Sequence, residues 1–422
     1  MTVSPSRIFR AEPMRVLPAK DGPAVPNRHF LLAASIVVSF LASTSVLTPI
    51  YPLYQRNWQF SALTITVIFA VYSLAVLAAL VTVGELSDHI GRKPVLLVAL
   101  LTQIFAMVVF ATASGLFALL LARVVQGLAI GAALGAVGAA LIDIDRTRST
   151  LANAVIPTAG CSAGILVSAL AVDHLPYPTR LIYLVVLGVF VIQLIGVIAM
   201  PETALRRRGC ALASLRPRFA LPHPVRRPLL IAAPVVFGAW ALAGFYGSLG
   251  PALVASLTDS DSAMLAGMPM LLLTAVAVAT VVVLRNATAE TMFGIGVGAL
   301  ILGLAITLAA IDAGTLAGLY IGTVVAGVGF GGGFQGGIRT VLPHAGPHHR
   351  AGVLAVLYSC CYLGFGAPAV LAGYLSIQQD SSIAVARDYG LALVALAALA
   401  VLGSTWRGRV TTVEQPNAAE VS

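Results

Sequence analysis

Twelve apolar stretches constrain this chain more than any other feature, because each is long enough to cross a lipid bilayer as a helix. A bilayer core asks for roughly 20 apolar residues in a helix. Such stretches fall at about 29–50, 61–83, 95–113, 116–142, 150–172, 179–200, 229–256, 263–284, 291–311, 315–341, 351–377 and 386–405. Only 10% of the 422 residues are charged, against roughly 25% in a soluble domain. So few charges cannot solvate a globule of this size, and lipid must cover much of its surface. The weakest stretch is the last, which opens on Arg387 and Asp388.

Charge placement sets an orientation. With the N-terminus in the cytoplasm, 21 of the 25 lysines and arginines fall in cytoplasmic segments. Arg56, Arg180 and Arg387 fall outside, and Arg123 stays within a helix. The expectation is a multi-pass protein of the cytoplasmic membrane with both termini cytoplasmic. The net charge of +9 does not point to nucleic acid, because the basic residues flank apolar runs and share no amphipathic face. Residues 1–28 hold Pro5, Pro13, Pro18, Pro23 and Pro26 and no short apolar core before a small-residue cleavage site. They read as a disordered cytoplasmic tail, not a signal peptide.

The segment 201–228 is the one long basic loop, and it divides the stretches into six and six. The expected domains are a bundle over 29–200, a cytoplasmic linker over 201–228, a second bundle over 229–406 and a tail over 407–422. Such a division is the pattern of two halves related by an axis along the membrane normal. Internal similarity is faint. Arg148, before the fifth helix, has its counterpart in Arg350, before the eleventh, 202 residues later. Cys161, Cys210, Cys360 and Cys361 have no spacing that suits a metal or a disulfide framework. No metal and no cofactor is expected.

Gly84-Glu-Leu-Ser-Asp88-His-Ile-Gly91-Arg92-Lys93-Pro94 is a tight polar turn between two apolar runs. Gly84 and Gly91 permit close approach and unusual dihedrals. Pro94 suits the first turn of the next helix. Asp88 offers a carboxylate that a helix N-terminus would receive favourably, and Arg92 offers a planar fork for a carboxylate. The turn resembles the signature loop of major facilitator superfamily transporters, Gly-x-x-x-Asp-[Arg/Lys]-x-Gly-[Arg/Lys]-[Arg/Lys], with His89 departing from the usual base. The resemblance implies an all-α integral membrane protein of that fold, with 12 transmembrane helices in two six-helix bundles. It also implies a cytoplasmic gate built on Gly84, Asp88, Gly91, Arg92 and Lys93. In that gate Asp88 caps the eleventh helix near His349–Gly352, and Arg92 pairs with Asp143.

Within the fourth helix lies Arg123-Val-Val-Gln126-Gly127. Arg123 sits on the order of 10 Å from the start of its helix, too deep for easy snorkelling, so it must face a cavity or a partner. The run resembles the family's Arg-x-x-Gln-Gly motif, linked there to proton coupling or substrate anchoring; a structural bond to backbone carbonyls is the plainer alternative. Family architecture sets the first, fourth, seventh and tenth helices around the path. By that analogy Arg123, Gln126, Trp240, Tyr246 and Gln335 are the substrate or coupling candidates. The fifth helix carries Gly160 and Gly164 but Cys161 where drug antiporters have proline, so that signature is incomplete. The glycine-rich tenth helix lacks the Lys-Ser/Thr ending of a phosphate loop and reads as a packing surface or cavity wall. His344, His348 and His349 read as solvated residues beside the gate. No Asp or Glu falls deep in any helix.

The expected function is secondary active transport of a small organic molecule by a monomer in the lipid bilayer. Proton-coupled export is the preferred form, and metabolite uptake or facilitated diffusion the runner-up. A membrane-embedded enzyme or a receptor or scaffold without flux is the rival from another class. Paired intramembrane acids, Ser/His or Cys/His arrangements and metal spacings are all missing, which argues against an enzyme.

Overall fold

The computed structural model describes residues 27–84, 86–204, 221–258, 260, 262–346, 349–379 and 382–411. The tail expected over 1–28 lies almost wholly outside them. So do Glu85, the linker residues 205–220 with Cys210, His348 and the end of the tail over 412–422.

The described residues form helices joined by short turns, with no strand among them. In order these are α1 (Asn27–Ser45), α2 (Leu47–Trp58), α3 (Ala62–Val83), α4 (Leu86–Ile90), α5 (Arg92–Ala111), α6 (Leu116–Ile144), α7 (Arg146–His174) and α8 (Pro178–Ala199). After the linker come α9 (His223–Ser248), α10 (Gly250–Thr258), α11 (Ala263–Val283), α12 (Ala289–Asp312), α13 (Leu316–Val341), α14 (Arg350–Gln379) and α15 (Ser382–Thr411). Eleven membrane-length apolar spans are present among the described residues, with α1 and α2 together forming the first. The twelfth apolar stretch lies in α15.

Two spans are broken at matching places. Pro49 has no N–H to give and its ring crowds the carbonyl four residues back, that of Ser45; the first span breaks at Val46. Pro251 does the same to the carbonyl of Gly247, and the seventh breaks at Leu249. The two prolines stand 202 residues apart, the same interval as Arg148 and Arg350. The first span therefore runs to Trp58 instead of ending near residue 50. The short α4 lies within the turn expected over 84–94, and α9 begins at His223, inside the expected linker.

Side-chain caps fix where several helices start. Ser61 accepts from the Thr64 N–H, Ser262 from Leu265, and Thr288 from Thr291. Asp145 caps α7 by accepting from the N–H groups of Thr147 and Arg148, both at 3.0 Å.

One buried cluster draws mainly on the first six spans, with Phe40, Ile68, Leu100, Phe110 and Phe190. A second draws mainly on the last six, with Phe245, Leu273, Leu300 and Leu304. Large apolar side chains also point outward, among them Phe117 (80% exposed) and Val283 (78%). On a soluble protein such a surface would aggregate; here it is the lipid face. α3 packs on α14 and α7 on α11, joining the first six spans to the last six.

The glycines of α13 form a packing surface. A Cβ on Gly329 would lie 2.5 Å from the backbone nitrogen of Leu300, and one on Gly296 would lie 2.2 Å from that of Gly333. α12 and α13 thus meet backbone to backbone, as small residues allow in membranes. Gly296→Val should force them apart at an overpacking cost of about 1–3 kcal/mol. The check is thermal unfolding of the purified protein in detergent, where a clearly lower melting temperature is expected. The exposed Gly294→Val, with no atom within 4 Å of its added Cβ, should match the parent.

Candidate functional site

The face that carries residues 84–94, Arg146 and Arg350 is the basic face of the molecule. Three groups of residues, one at each face and one between, bear on the chain's chemistry.

At the basic face, Gly91 adopts φ +108°, a left-handed region that favours glycine. A Cβ there would also fall 2.3 Å from a carboxylate oxygen of Glu202. Gly84, in contrast to the expectation of an unusual dihedral, is helical at φ −53°. Its bare backbone lets Gly135 of α6 approach, with the Gly84 carbonyl 3.4 Å from an added Cβ. Arg92 donates through Nη1 to Asp88 and, at 2.7 Å, to Ser87 Oγ, and through Nε to Asp143 Oδ2 at 3.3 Å. One planar guanidinium thus ties the turn to the end of α6. Lys93 Nζ donates to the Ile198 carbonyl at 2.7 Å.

Glu202, which was not among the expected gate residues, completes this junction. Its Oε1 accepts from the Arg92 N–H at 2.8 Å and its Oε2 from the Lys93 N–H at 3.2 Å, so it caps α5 from the end of the sixth span. The Thr203 and Ala204 N–H groups donate to the same carboxylate. An acid directly after an apolar run, on the face where the next basic helix begins, was the available signal. Residues 347 and 348, which lead into α14, lie outside the described residues, so the implied capping of α14 by Asp88 stays a proposal. His344 Nδ1 lies 3.0 Å from the Thr340 carbonyl, an ordinary helix-end contact.

In the interior, Arg123 is 1% exposed. It donates through Nη1 to Gln126 Oε1 at 2.8 Å and to the Thr44 carbonyl at 3.4 Å, and through Nη2 to the Tyr51 hydroxyl at 2.8 Å. Its guanidinium carbon stands 4.9 Å from the centre of the Tyr72 ring, within cation–π range. Gln126 Nε2 donates to the Ser43 carbonyl at 3.2 Å, and Ser168 Oγ to the Val46 carbonyl at 2.6 Å. Arg123 and Gln126 therefore meet at the break in the first span. The plainer alternative, bonds to backbone carbonyls, is present, though neutral side chains share the guanidinium.

Trp240, on α9, lies among Phe330 and Phe334 of α13 and Tyr362 and Phe365 of α14, with ring centres 5.5–6.0 Å away. Tyr246 turns elsewhere. Its hydroxyl lies 3.1 Å from that of Thr323, inside the last six spans, and it is absent from the ring cluster around Trp240. Gln335 Nε2 donates to the Ala154 carbonyl at 3.4 Å and so joins α13 to α7. Cys161 and Cys360 are partly buried and Cys361 is buried, all three as free thiols. No group of three or more potential metal ligands occurs among the described residues.

At the opposite face, Asp173, at the end of α7, receives the start of α11. Its Oδ1 accepts from the Ala263 N–H at 2.9 Å; its Oδ2 accepts from the Met264 N–H at 3.1 Å and the Ser262 hydroxyl at 3.2 Å. Nearby, Thr48 Oγ1 donates at 3.1 Å to the Gly247 carbonyl, the carbonyl that Pro251 strips of its helical partner. Gly267 packs against Ile165 and Pro49. These contacts all cross between the first six spans and the last six.

The sequence profile of the Major Facilitator Superfamily matches residues 32–367. Among solved structures, nucleoside transporter NupG superposes with a TM-score of 0.64 at 14% identity, over 89% of this chain and 98% of that one. A bacterial homologue of the human lysosomal transporter Spinster, in an inward-facing and unoccupied conformation, gives 0.68 at 13%, over 90% and 95%. The human organic anion transporter MFSD10 (TETRAN) gives 0.63 at 17%, over 89% and 99%. At these identities the likeness is one of fold.

Proposed function

Because the chain belongs to the Major Facilitator Superfamily, we propose that it carries a small organic solute across the cytoplasmic membrane by alternating access, with its basic face inside the cell. One observation carries the proposal. Among the described residues, the side-chain hydrogen bonds that cross between the two sets of six spans are few: three at Asp173 and one at Thr48 toward the opposite face, Ser162 to Thr274 between, and Gln335 to Ala154 toward the basic face. Two sets of spans held together mainly by packing, and clasped most at one face, suit a carrier whose halves rock about a central site.

In this reading Gly84, Asp88, Gly91, Arg92, Lys93 and Asp143 form the inner gate. When that gate is closed Asp88 faces the N-terminus of α14, a contact that the helix dipole favours. Arg123, Gln126, Trp240 and Gln335 border the path, and Tyr246 braces α9 against α13. The form of transport is export driven by protons. The acids available to take part stand at the rims, Asp88 and Asp143 at one and Asp173 at the other.

The test is flux in proteoliposomes against a chemically broad panel, with and without a pH gradient. The expected result is movement of at least one organic solute, accelerated by the gradient. Accumulation against the exporting direction would make the chain an uptake carrier, and no flux of any solute would overturn the proposal.

A further inference from the structure

Trp240 carries a polar group that nothing among the described residues satisfies. Its Nε1–H is buried and has no acceptor, and such groups in native structures call for an explanation. A bridging water is a poor one, because a buried water needs two to four polar partners. Its ring neighbours are Phe330, Phe334 and Phe365, which offer no acceptor, and Tyr362, whose hydroxyl is the one polar group among them. The four rings meet the indole at 52–75°, none of them stacked flat on it. A largely apolar, aromatic wall with an unused indole donor is the composition of a ligand pocket that orients its guest by few hydrogen bonds.

A second observation concerns charge. Arg123 is the only arginine, lysine or carboxylate among the described buried residues. Its bonded partners are two side chains and a backbone carbonyl, all neutral, and its Nε–H is also without a partner. A buried cation without a counter-ion is costly in a low-dielectric interior. It lends the surrounding space a positive potential, which draws anions and repels cations. Both features border one buried cluster: Tyr72 lies beneath the guanidinium, Tyr362 lies beside the indole, and Trp240 packs against the cluster.

We infer that the solute is a planar aromatic anion. Its ring lies among the aromatic side chains around Trp240, its acceptor takes the indole N–H, and its charge is favoured by Arg123. This rests on the transport proposal, and the following experiment separates the two.

The full chain is purified in detergent and titrated calorimetrically with three probes on one planar ring system: naphthalene-2-carboxylate, its primary amide, and naphthalene-2-methylamine. The carboxylate should bind about tenfold more tightly than the amide, and the protonated amine should give no binding. Trp240→Phe keeps an aromatic ring and removes the donor together with part of the indole's volume. It should weaken the carboxylate about tenfold, the effect of one lost hydrogen bond to a charged group, while the unliganded protein still unfolds in one cooperative transition. Equal or tighter binding of the amine, an unchanged affinity in Trp240→Phe, or no binding of any probe would each overturn the inference. Binding in the expected order, with no flux of the carboxylate or any other solute in vesicles, would leave the site standing and remove transport.

Discussion

Asp88→Asn should lower solute flux in proteoliposomes by more than tenfold and leave the protein as stable as the parent. The two halves of that expectation come from different contacts. The carboxylate of Asp88 pairs with Arg92, but Arg92 also donates to Ser87 Oγ and to Asp143. Glu202 independently caps α5 through the Arg92 and Lys93 N–H groups. An isosteric carboxamide therefore leaves the turn with most of its bonds. A partly exposed ion pair contributes little to folding, roughly 0–1 kcal/mol. What the carboxamide cannot supply is a negative charge for the positive end of α14 when the inner gate closes. At a partly buried helix terminus that charge is worth up to about 2 kcal/mol, or about thirtyfold in population, so its loss holds the carrier largely in one state. The control is Gly91→Ala, which forces a side chain into a left-handed backbone and against Glu202. There, melting temperature and flux should fall together. Asp88→Asn with unchanged flux would refute the gate, and Asp88→Asn with flux and melting temperature lowered in step would reduce it to a structural turn.

How much of this was legible in the residues varies with the range of the interaction. The spans were, because an apolar run of twenty residues in a charge-poor chain has few other uses. The pairing of Arg92 with Asp143 was named through resemblance, and the two side chains do meet at 3.3 Å. The breaks at Val46 and Leu249 were not, although Pro49 and Pro251 stood in plain view. A proline in a membrane span is compatible with a kink or a continuous helix, depending on which neighbour takes the freed carbonyl. Thr48 takes that of Gly247 from 199 positions away, and no local pattern encodes such a partner. Tyr246 illustrates the angular limit. It is six residues from Trp240 on one helix, yet its hydroxyl lies against Thr323 while Trp240 meets the rings of α13 and α14. An apolar helix buried on most sides carries no hydrophobic stripe to tell one direction from another. The roles of Glu202 and Asp173 could not be read from the residues, because a cap is defined by the helix it receives, and both receive helices distant in sequence.

Asp173→Asn should open the opposite face. The carboxylate accepts three hydrogen bonds from Ser262, Ala263 and Met264, at the first turn of a 21-residue helix that belongs to the other set of six spans. A carboxamide has one acceptor oxygen in place of two and no charge for the helix dipole, so the clasp must loosen. Thr48 reports on the result. It is 4% exposed and sits where the first span meets the seventh, so a cysteine there is hidden while that face is closed. In a chain whose four native cysteines are replaced by serine, Thr48→Cys should react slowly with a membrane-impermeant maleimide applied to the opposite face. Adding Asp173→Asn should speed that reaction about five- to tenfold, the population shift expected from losing one charge-assisted cap. Asp173→Glu, which keeps the charge one methylene further out, should fall between the two. The contrast with Asp88 is the sharper part of the expectation. Loss of the inner carboxylate should leave the carrier open to the basic face and Thr48→Cys as protected as before. Loss of the outer one should expose it, so two neutralised acids push one equilibrium in opposite directions. Equal labelling in Asp173→Asn and its parent would mean that Asp173 caps a helix and holds no gate.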